Sequence, residues 1–395
     1  MPETNIDPSH PATPSWGNQP EPIRGGRTTV ARAAATVAIA LALAACNSST
    51  PTPVPSFVST PKPVVTPPSP IPSPTPQLVK SITLVGDVLE PSAASLSGLA
   101  WKGVQDSASA IGAKATLVQP ATNAELAAAV DSAAAGDRAV VVTIGAAGAA
   151  PVATAAVAHP DVQFIELDVA LAGDAPASGA PTGNAPANVH GIVFDEAEAG
   201  YLAGFVAASF STSGKVGFAG TFSADSASAN YSAGFAAGAK LARPSGTAAT
   251  ILAGAAYSPD HGRTAAAALV KSGADLVSAA TGVVGIAALR EACSRKARLV
   301  AIETDAWQTV PDVRSCLVAS ILLRYDIAVG SAISTLASGG SLAAMTVAGL
   351  SSGEISISDL HADAPAGFAA TLAGVLAALE NNPPRASAQP VSAKP

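Results

Sequence analysis

The chain has 395 residues and a formal net charge of −7 at pH 7, with 49% hydrophobic and only 12% charged residues. An acidic chain has no electrostatic reason to seek nucleic acid, so we expect no nucleic-acid partner. The five histidines and three cysteines show no metal-ligand spacing, and we therefore expect neither a metal site nor another cofactor. The length suffices for two domains of ordinary size.

The N-terminal residues 1–45 have the organisation of a lipoprotein signal peptide. Three arginines precede an apolar stretch of about 13 residues, too short to span a bilayer but typical of a signal-peptide core. The stretch ends in Leu-Ala-Ala before Cys46, which resembles the bacterial lipobox, where the cysteine is diacylated. We therefore predict lipidation of Cys46 and anchoring at the extracytoplasmic face of the cell membrane. The alternative is a generic signal peptide that contains a cysteine.

Proline-rich segments bound the folded part of the chain. Residues 46–77 combine the lipidated cysteine with a Pro/Ser/Thr-rich linker, which cannot bury a core and stays extended at ~3.1 Å per residue. Residues 381–395 are polar and proline-rich and are predicted to be a disordered tail. No apolar stretch after Cys46 is long enough to span a membrane.

Apolar runs alternate with alanine-rich amphipathic stretches between the linker and the tail. The runs predict strands at 80–86, 139–145, 162–168, 190–194, 215–220, 249–254, 274–280, 298–303 and 316–320. The longer stretches predict helices at 97–111, 123–135, 151–158, 197–210, 227–241, 262–272, 285–294, 325–338 and 365–379. Nearly continuous apolar strands indicate parallel sheets covered on both faces. The alternation predicts a doubly wound α/β architecture, and so many strands favour two lobes.

The acidic turn between the run ending at Phe194 and the following helix has two interpretations. Glu196 and Glu198 either begin a helix, where carboxylates meet unpaired N–H groups, or act as a catalytic acid pair. Residues spaced i, i+2 point to different faces of a helix, which favours the structural interpretation. The chain also lacks an HExxH and a P-loop motif, so we expect it not to be an enzyme.

Two cysteines fall within the folded part. Cys293 and Cys316 either close a disulfide loop of about 23 residues or remain two separately buried thiols. An exported domain permits the oxidation.

Residues 189–244 closely resemble the basic membrane protein family. The matching motifs are Phe194–Gly204, Gly214–Gly220 and Tyr231–Ala239. The resemblance implies a purine-nucleoside-receptor-like lipoprotein that serves as the substrate-binding protein of an ABC importer. It also implies a type I periplasmic-binding-protein-like fold, with two doubly wound lobes joined by a three-strand hinge.

That fold sets the expected domain boundaries. Residues 78–194 with 305–338 are predicted to form lobe 1, and residues 195–304 with 339–380 to form lobe 2. The hinge would then cross near residues 194, 304 and 338.

Candidate ligand contacts lie where strands end, because open α/β sheets bind ligands at the carboxyl ends of their strands. The resemblance places Leu96 where relatives carry a purine-stacking aromatic, and Ser97 where they carry an asparagine. Glu303 replaces a family aspartate, and Arg324 follows the position of a family lysine. The predicted ligand-binding residues are Asp87, Leu96, Ser97, Gly145, Tyr257, Gly282, Glu303 and Arg324.

The expected function is that of a lipid-anchored receptor for a small polar solute, which hands the solute to an ABC permease. The family implies a nucleoside, but the missing aromatic and polar partners each remove part of the expected affinity. The alternative is a ligand-sensing surface lipoprotein without a transport role.

Overall fold

Two parallel sheets, each covered by helices, form the folded part of the chain. The computed structural model describes residues 78–86, 95–169, 185–221, 227–252 and 258–381. The predicted signal peptide, Cys46, the linker and the tail from residue 382 onwards lie outside these residues. No helix in the described ranges is both long and apolar enough to cross a bilayer.

The strands and helices are numbered in chain order. The strands are β1 (Ser81–Val85), β2 (Lys114–Val118), β3 (Ala139–Ile144), β4 (Gln163–Leu167), β5 (Val189–Phe194), β6 (Lys215–Gly220), β7 (Thr247–Leu252), β8 (Leu276–Ala280), β9 (Arg298–Glu303), β10 (Leu317–Leu323), β11 (Met345–Ala348) and β12 (Ile355–Ile357). The helices are α1 (Leu96–Ile111), α2 (Asn123–Ala134), α3 (Ala149–Ala158), α4 (Glu196–Phe210), α5 (Ala227–Ala242), α6 (Pro259–Lys271), α7 (Val283–Ser294), α8 (Ala306–Thr309), α9 (Tyr325–Ala337) and α10 (Phe368–Asn381).

The two sheets have matching strand orders. The first sheet runs β11-β5-β4-β3-β1-β2 and is parallel throughout. The second runs β12-β10-β9-β8-β6-β7 and is parallel except for its antiparallel edge strand β12. Helices α1 and α9 cover one face of the first sheet, while α2 and α3 cover the other. The doubly wound, two-lobed α/β prediction is confirmed.

The chain crosses three times between the lobes, but two crossings lie further along than expected. The first follows Phe194, as predicted. The expected crossing near residue 304 was wrong, because β10 pairs in parallel with β9 and extends lobe 2 to Leu323. The expected crossing near residue 338 was also misplaced, because β11 pairs with β5 and keeps residues 345–348 in lobe 1.

Helix α4 begins directly after the first crossing and packs tightly on α5. Asp195 caps the helix by accepting from the Glu198 N–H at 2.9 Å. A Cβ on Gly204 would lie 2.0 Å from the carbonyl oxygen of Phe235, and one on Gly238 would lie 1.9 Å from that of Tyr201. Glycine is therefore required at this helix contact, because the backbones approach too closely for any side chain. The structural interpretation of the acidic turn agrees with this arrangement.

Cys293 and Cys316 are joined by a disulfide. Cys293 lies in the last turn of α7, and Cys316 ends a short 3-10 segment, Pro311–Cys316, that leads into β10. The bridge fixes the start of β10 against α7, and both contribute to the same core cluster of the second sheet.

Candidate functional site

Polar side chains from both lobes meet where the strands of the two sheets end. Asp168 follows β4 in lobe 1, while Glu303 ends β9 in lobe 2. Tyr325, at the second crossing, donates its hydroxyl hydrogen bond to the Asp168 carboxylate. Its ring lies 4.7 Å from that of Phe194, the last residue before the first crossing. The site is therefore built directly onto two of the crossings between the lobes.

Asp168 is the lobe 1 carboxylate of this site. Part of the Asp168 residue is exposed to solvent. Desolvation of its carboxyl group by the surrounding protein, and then the negative charges of Glu303 and Glu196, raise its pKa to about 8. The backbone of Asp168 has a left-handed φ of 57°, which turns the chain sharply at the strand end. The charges of both lobes thus influence one another across the site.

Glu303 is the matching carboxylate of lobe 2. Burial raises its pKa to about 7, helped by Glu196 and opposed by hydrogen bonds from Thr281 and Tyr231. The Thr281 hydroxyl lies 3.5 Å from its Oε2. Glu303 also has a φ of 89°, which is rare outside glycine. Backbone strain of this kind persists only where neighbouring groups hold the residue in place.

Glu196 and Tyr231 complete the lobe 2 side. Asn230 donates to Glu196 Oε2 at 3.3 Å. Tyr231 is buried between Glu303 and the core, and burial followed by the Glu303, Glu196 and Asp168 charges raises its pKa well above 10. The site therefore offers carboxylates, a side-chain amide and phenol hydroxyls, which suit a solute rich in hydroxyl or amine groups.

Glu198, the other acid of the turn, has a different place. Its Oε2 accepts the Leu350 N–H at 2.8 Å, and its side chain is 3% exposed. Leu350 follows β11, so this bond ties the first crossing to the third. Because Glu198 is occupied in this way, it does not form an acid pair with Glu196.

Seven of the eight predicted ligand-binding residues fall into three groups. Gly145 and Gly282 lie at strand ends, where a Cβ would meet no atom within 4 Å, and Glu303 belongs to the carboxylate site. Leu96 and Ser97 are half-buried in the first turn of α1. Asp87 and Tyr257 lie outside the described residues.

Arg324 pairs with Asp326 rather than with Glu303. Its Nε and a terminal nitrogen lie 2.9 and 2.8 Å from the two oxygens of Asp326. The backbone N–H of Arg324 donates to the Glu354 carbonyl at 2.7 Å, across from β12. This guanidinium is therefore committed to an ion pair at the second crossing.

Sequence reasoning did not select Asp168, Tyr231 or Tyr325 as site residues. Asp168 carried a usable signal, because it is the polar residue that ends a buried strand. Tyr231 and Tyr325 carried no such signal, because each is buried like an ordinary core aromatic, with 4% and 0% exposure respectively. Among the described residues, no group of three or more His, Cys, Asp or Glu side chains could hold a metal ion.

Comparison with known proteins places this arrangement in a family. The family model of PnrA-like ABC transporter substrate-binding proteins, called Bmp, matches residues 92–363. The chain belongs to the Bmp family. The prediction from the resemblance is thereby confirmed, and the family is one of binding proteins rather than of enzymes.

The individual relatives resemble this Bmp chain over shorter stretches or at lower sequence identity. Basic membrane protein A of Borreliella burgdorferi is 30% identical over 138 residues, which cover 35% of this chain and 38% of that protein. The chain thus spans little more than a third of the length of that curated relative. A solute-binding protein of an ABC transporter system from Conexibacter woesei is 22% identical, with a TM-score of 0.59 over 78% of this chain and 98% of its own.

The same fold also occurs in a protein of another kind. A transcriptional activator of the comK gene from Bacillus halodurans is 15% identical, with a TM-score of 0.62 over 76% of this chain and 98% of its own. These structural likenesses establish the type I periplasmic-binding-protein-like fold and nothing beyond it.

Proposed function

We propose that this Bmp-family chain is a lipid-anchored, extracytoplasmic receptor that presents a small polar solute to the permease of an ABC importer. The observation that carries the proposal is the meeting of Asp168 from lobe 1 with Glu303 and Tyr231 from lobe 2. The family match over residues 92–363 supports the same role. The solute binds between the strand ends of the two sheets, and closure of the lobes about the three crossings retains it.

The solute is nucleoside-like in carrying several hydroxyl groups. Carboxylates such as Asp168 and Glu303 accept hydrogen bonds from hydroxyls, and a phenol can donate to them or accept. Gly145 and Gly282 leave open space at the neighbouring strand ends, into which a ring can extend. Leu96 supplies apolar surface without an aromatic face, so base stacking contributes less than it would with an aromatic side chain.

A thermal-shift screen of the full chain against nucleosides, nucleobases, sugars and furanones tests the binding role. A ligand that binds the folded chain raises its melting temperature by mass action. We expect a polyhydroxylated compound to do so, and the shift to be lost in Asp168→Asn and Glu303→Gln. Asp312→Asn, which removes an exposed surface ion pair with Arg290, is the matched control and keeps the shift. An equal shift in all three variants would contradict the site.

A second experiment separates anchoring and transport from binding. Mass spectrometry of the membrane-extracted chain should find two acyl chains' worth of added mass on Cys46, and Cys46→Ser should release the chain from the envelope. Cells without the chain should lose uptake of the compound found in the screen. Unchanged uptake despite intact binding would favour a sensing role in place of transport.

A further inference from the structure

The outer edge of β7 is open to solvent. Among the residues that the structure describes, β7 pairs on one side only, with β6. The Thr247 N–H donates to the Gly214 carbonyl at 2.8 Å, so Thr247 directs its backbone groups towards β6. Backbone direction alternates along a strand, and Ala248 and Thr250 therefore direct their N–H and C=O groups outwards. These outward groups are available to another strand.

In the described part of the chain, β7 itself carries none of the usual protection against pairing. Thr247, Ala248, Ala249 and Thr250 are all exposed, and none carries a charge. The strand contains no proline, and its register with β6 runs without a shift from Thr247 to Leu252. Natural sheets commonly protect an edge with charge, proline, a bulge or a very short strand. The β11 edge of the first sheet follows that rule, since β11 has only four residues.

We propose that β7 pairs antiparallel with β7 of a second copy of this chain, around a two-fold axis at Ala249. In such a pair, residues with outward backbone groups must face each other. An axis at Ala249 meets this condition, because it sets Ala248 opposite Thr250 of the second copy. The interface is isologous and closed, so it gives a dimer rather than a filament.

A groove beside the edge supports this register. The groove has a volume of about 260 Å³ and is lined by small side chains of α4 and α5, by Lys240 and by the start of β7. Gly246 and Ala248 are among its lining residues. Leu252 lies on the α5 face of the sheet, packed against the same core cluster as that helix. With the axis at Ala249, Leu252 of each copy comes opposite Gly246 of the other, where no side chain stands in its way.

The chemistry of the edge favours a second copy over a charged partner. The exposed residues of β7 are alanine and threonine, so the two strands themselves bring no like charges together, and Lys240 lies in the adjacent groove. Threonine and alanine side chains also fit across a closely spaced strand pair. A partner that relied on charge would find no complementary group on this strand.

Cysteine cross-linking of the full chain tests the register. Facing Ala249 positions form a pair without mutual hydrogen bonds, with Cα atoms ~4.5 Å apart, which suits a disulfide. We expect Ala249→Cys to give a covalent dimer on a non-reducing gel, relative to the wild-type chain. Thr247→Cys is the matched control, equally exposed but ~13 Å from its own copy in this register, and it should stay monomeric. Cross-linking of both variants, or of neither, would overturn the proposal.

A charge substitution tests the interface without a covalent trap. Light scattering of the purified full chain should give a dimer mass, and Ala249→Lys should give a monomer mass because two ammonium groups meet at the axis. Val347→Lys, on the exposed β11 edge of the other sheet, should leave the dimer intact. An unchanged melting curve confirms that the variants are folded. A wild-type chain that is monomeric at all concentrations would overturn the proposal, as would a dimer that persists in Ala249→Lys.

Discussion

Glu166 carries a buried carboxyl group in β4, two residues before Asp168. It is 1% exposed, and its Oε1 has no hydrogen-bond partner among the described residues. Thr143 lies beside Glu166 in the register of β3, and its buried hydroxyl oxygen also has no hydrogen-bond partner among the described residues. Burial disfavours the charged form and raises the pKa of Glu166 to about 7. The fold therefore binds a proton here that the unfolded chain would release.

Glu166→Gln should remove a pH dependence of stability. The folded pKa lies above the unfolded one, so the stabilising effect is complete below pH ~4.5, falls as pH rises and is lost above pH ~7. A pKa raised from 4.5 to about 7 corresponds to roughly 3 kcal/mol. We expect the variant to be more stable than the wild type at pH 8, by urea denaturation, and similar at pH 4.5. Glu380→Gln, at an exposed position, should change neither value.

The sequence indicates candidate site residues that end a strand, but it does not indicate residues whose role depends on burial. Gly145, Gly282 and Glu303 follow from strand ends alone. Tyr231 and Tyr325 do not, because a tyrosine that packs in the core and one that reaches a carboxylate have the same local sequence pattern. Arg324 pairs with Asp326 because the start of α9 brings these two side chains together. The sequence alone was compatible with several partners for Arg324.

At the scale of elements, α4 and α5 are in close backbone contact. Gly200 and Gly204 of α4 meet the α5 backbone, and Gly234 and Gly238 of α5 meet the α4 backbone. Each pair is spaced i, i+4, so the glycines lie on one face of their helix. The close approach buries the largest side chains nearby, including Phe205 and Phe235, which are 2% and 0% exposed.

Gly204→Ala should therefore destabilise the protein although alanine favours helix. The added Cβ would lie 2.0 Å from the Phe235 carbonyl oxygen, which must move with its whole helix. We expect a loss of about 1–3 kcal/mol or more in the free energy of unfolding. Gly374→Ala in α10 is the matched control, because nothing lies within 4 Å of its Cβ position, and it should gain up to ~1 kcal/mol. Equal effects of the two substitutions would show that the contact is not tight.

The disulfide between α7 and the start of β10 should also contribute to stability. It closes a loop with a sequence separation of 23 residues, which corresponds to about 3 kcal/mol in the chain-entropy model. The double variant Cys293→Ala, Cys316→Ala should lower the melting temperature, and a reducing agent should lower that of the wild type alone. A reductant effect of the same size on the double variant would assign the loss to another cause.

Strand prediction depended on a continuous apolar run, which also identified most of the exposed edge strand β7. The central strands of both sheets were found because apolar residues fill them on both faces. Strand β2 begins with an exposed lysine and is only half-buried, while β11 and β12 have four and three residues at sheet edges. The last two crossings were misplaced because residues 317–323 and 345–348 were assigned to the wrong lobes. The sheet that a strand joins depends on a distant partner and not on its own sequence.

For the whole molecule, the carboxylates of Asp168, Glu303 and Glu196 should push the lobes apart when all are charged. The pKa values of Asp168 and Glu303, about 8 and about 7, mean that charge accumulates as pH rises through this range. Small-angle scattering of the ligand-free chain should give a larger radius of gyration at pH 9 than at pH 6. The double variant Asp168→Asn, Glu303→Gln should give one radius at both values, whereas a change as large as that of the wild type would exclude these groups.

The threefold passage of the chain between the sheets determines when each lobe can be completed during synthesis. The first sheet starts at Ser81, yet one of its two outer strands, β11, and one of its covering helices, α9, are made after nearly all of the second sheet. A nascent chain that has been synthesised as far as Cys316 still lacks the β11 strand and the α9 helix of lobe 1. A premature stop codon shortly before residue 345 would therefore damage the end of the molecule that the ribosome makes first, as well as the end it never reaches.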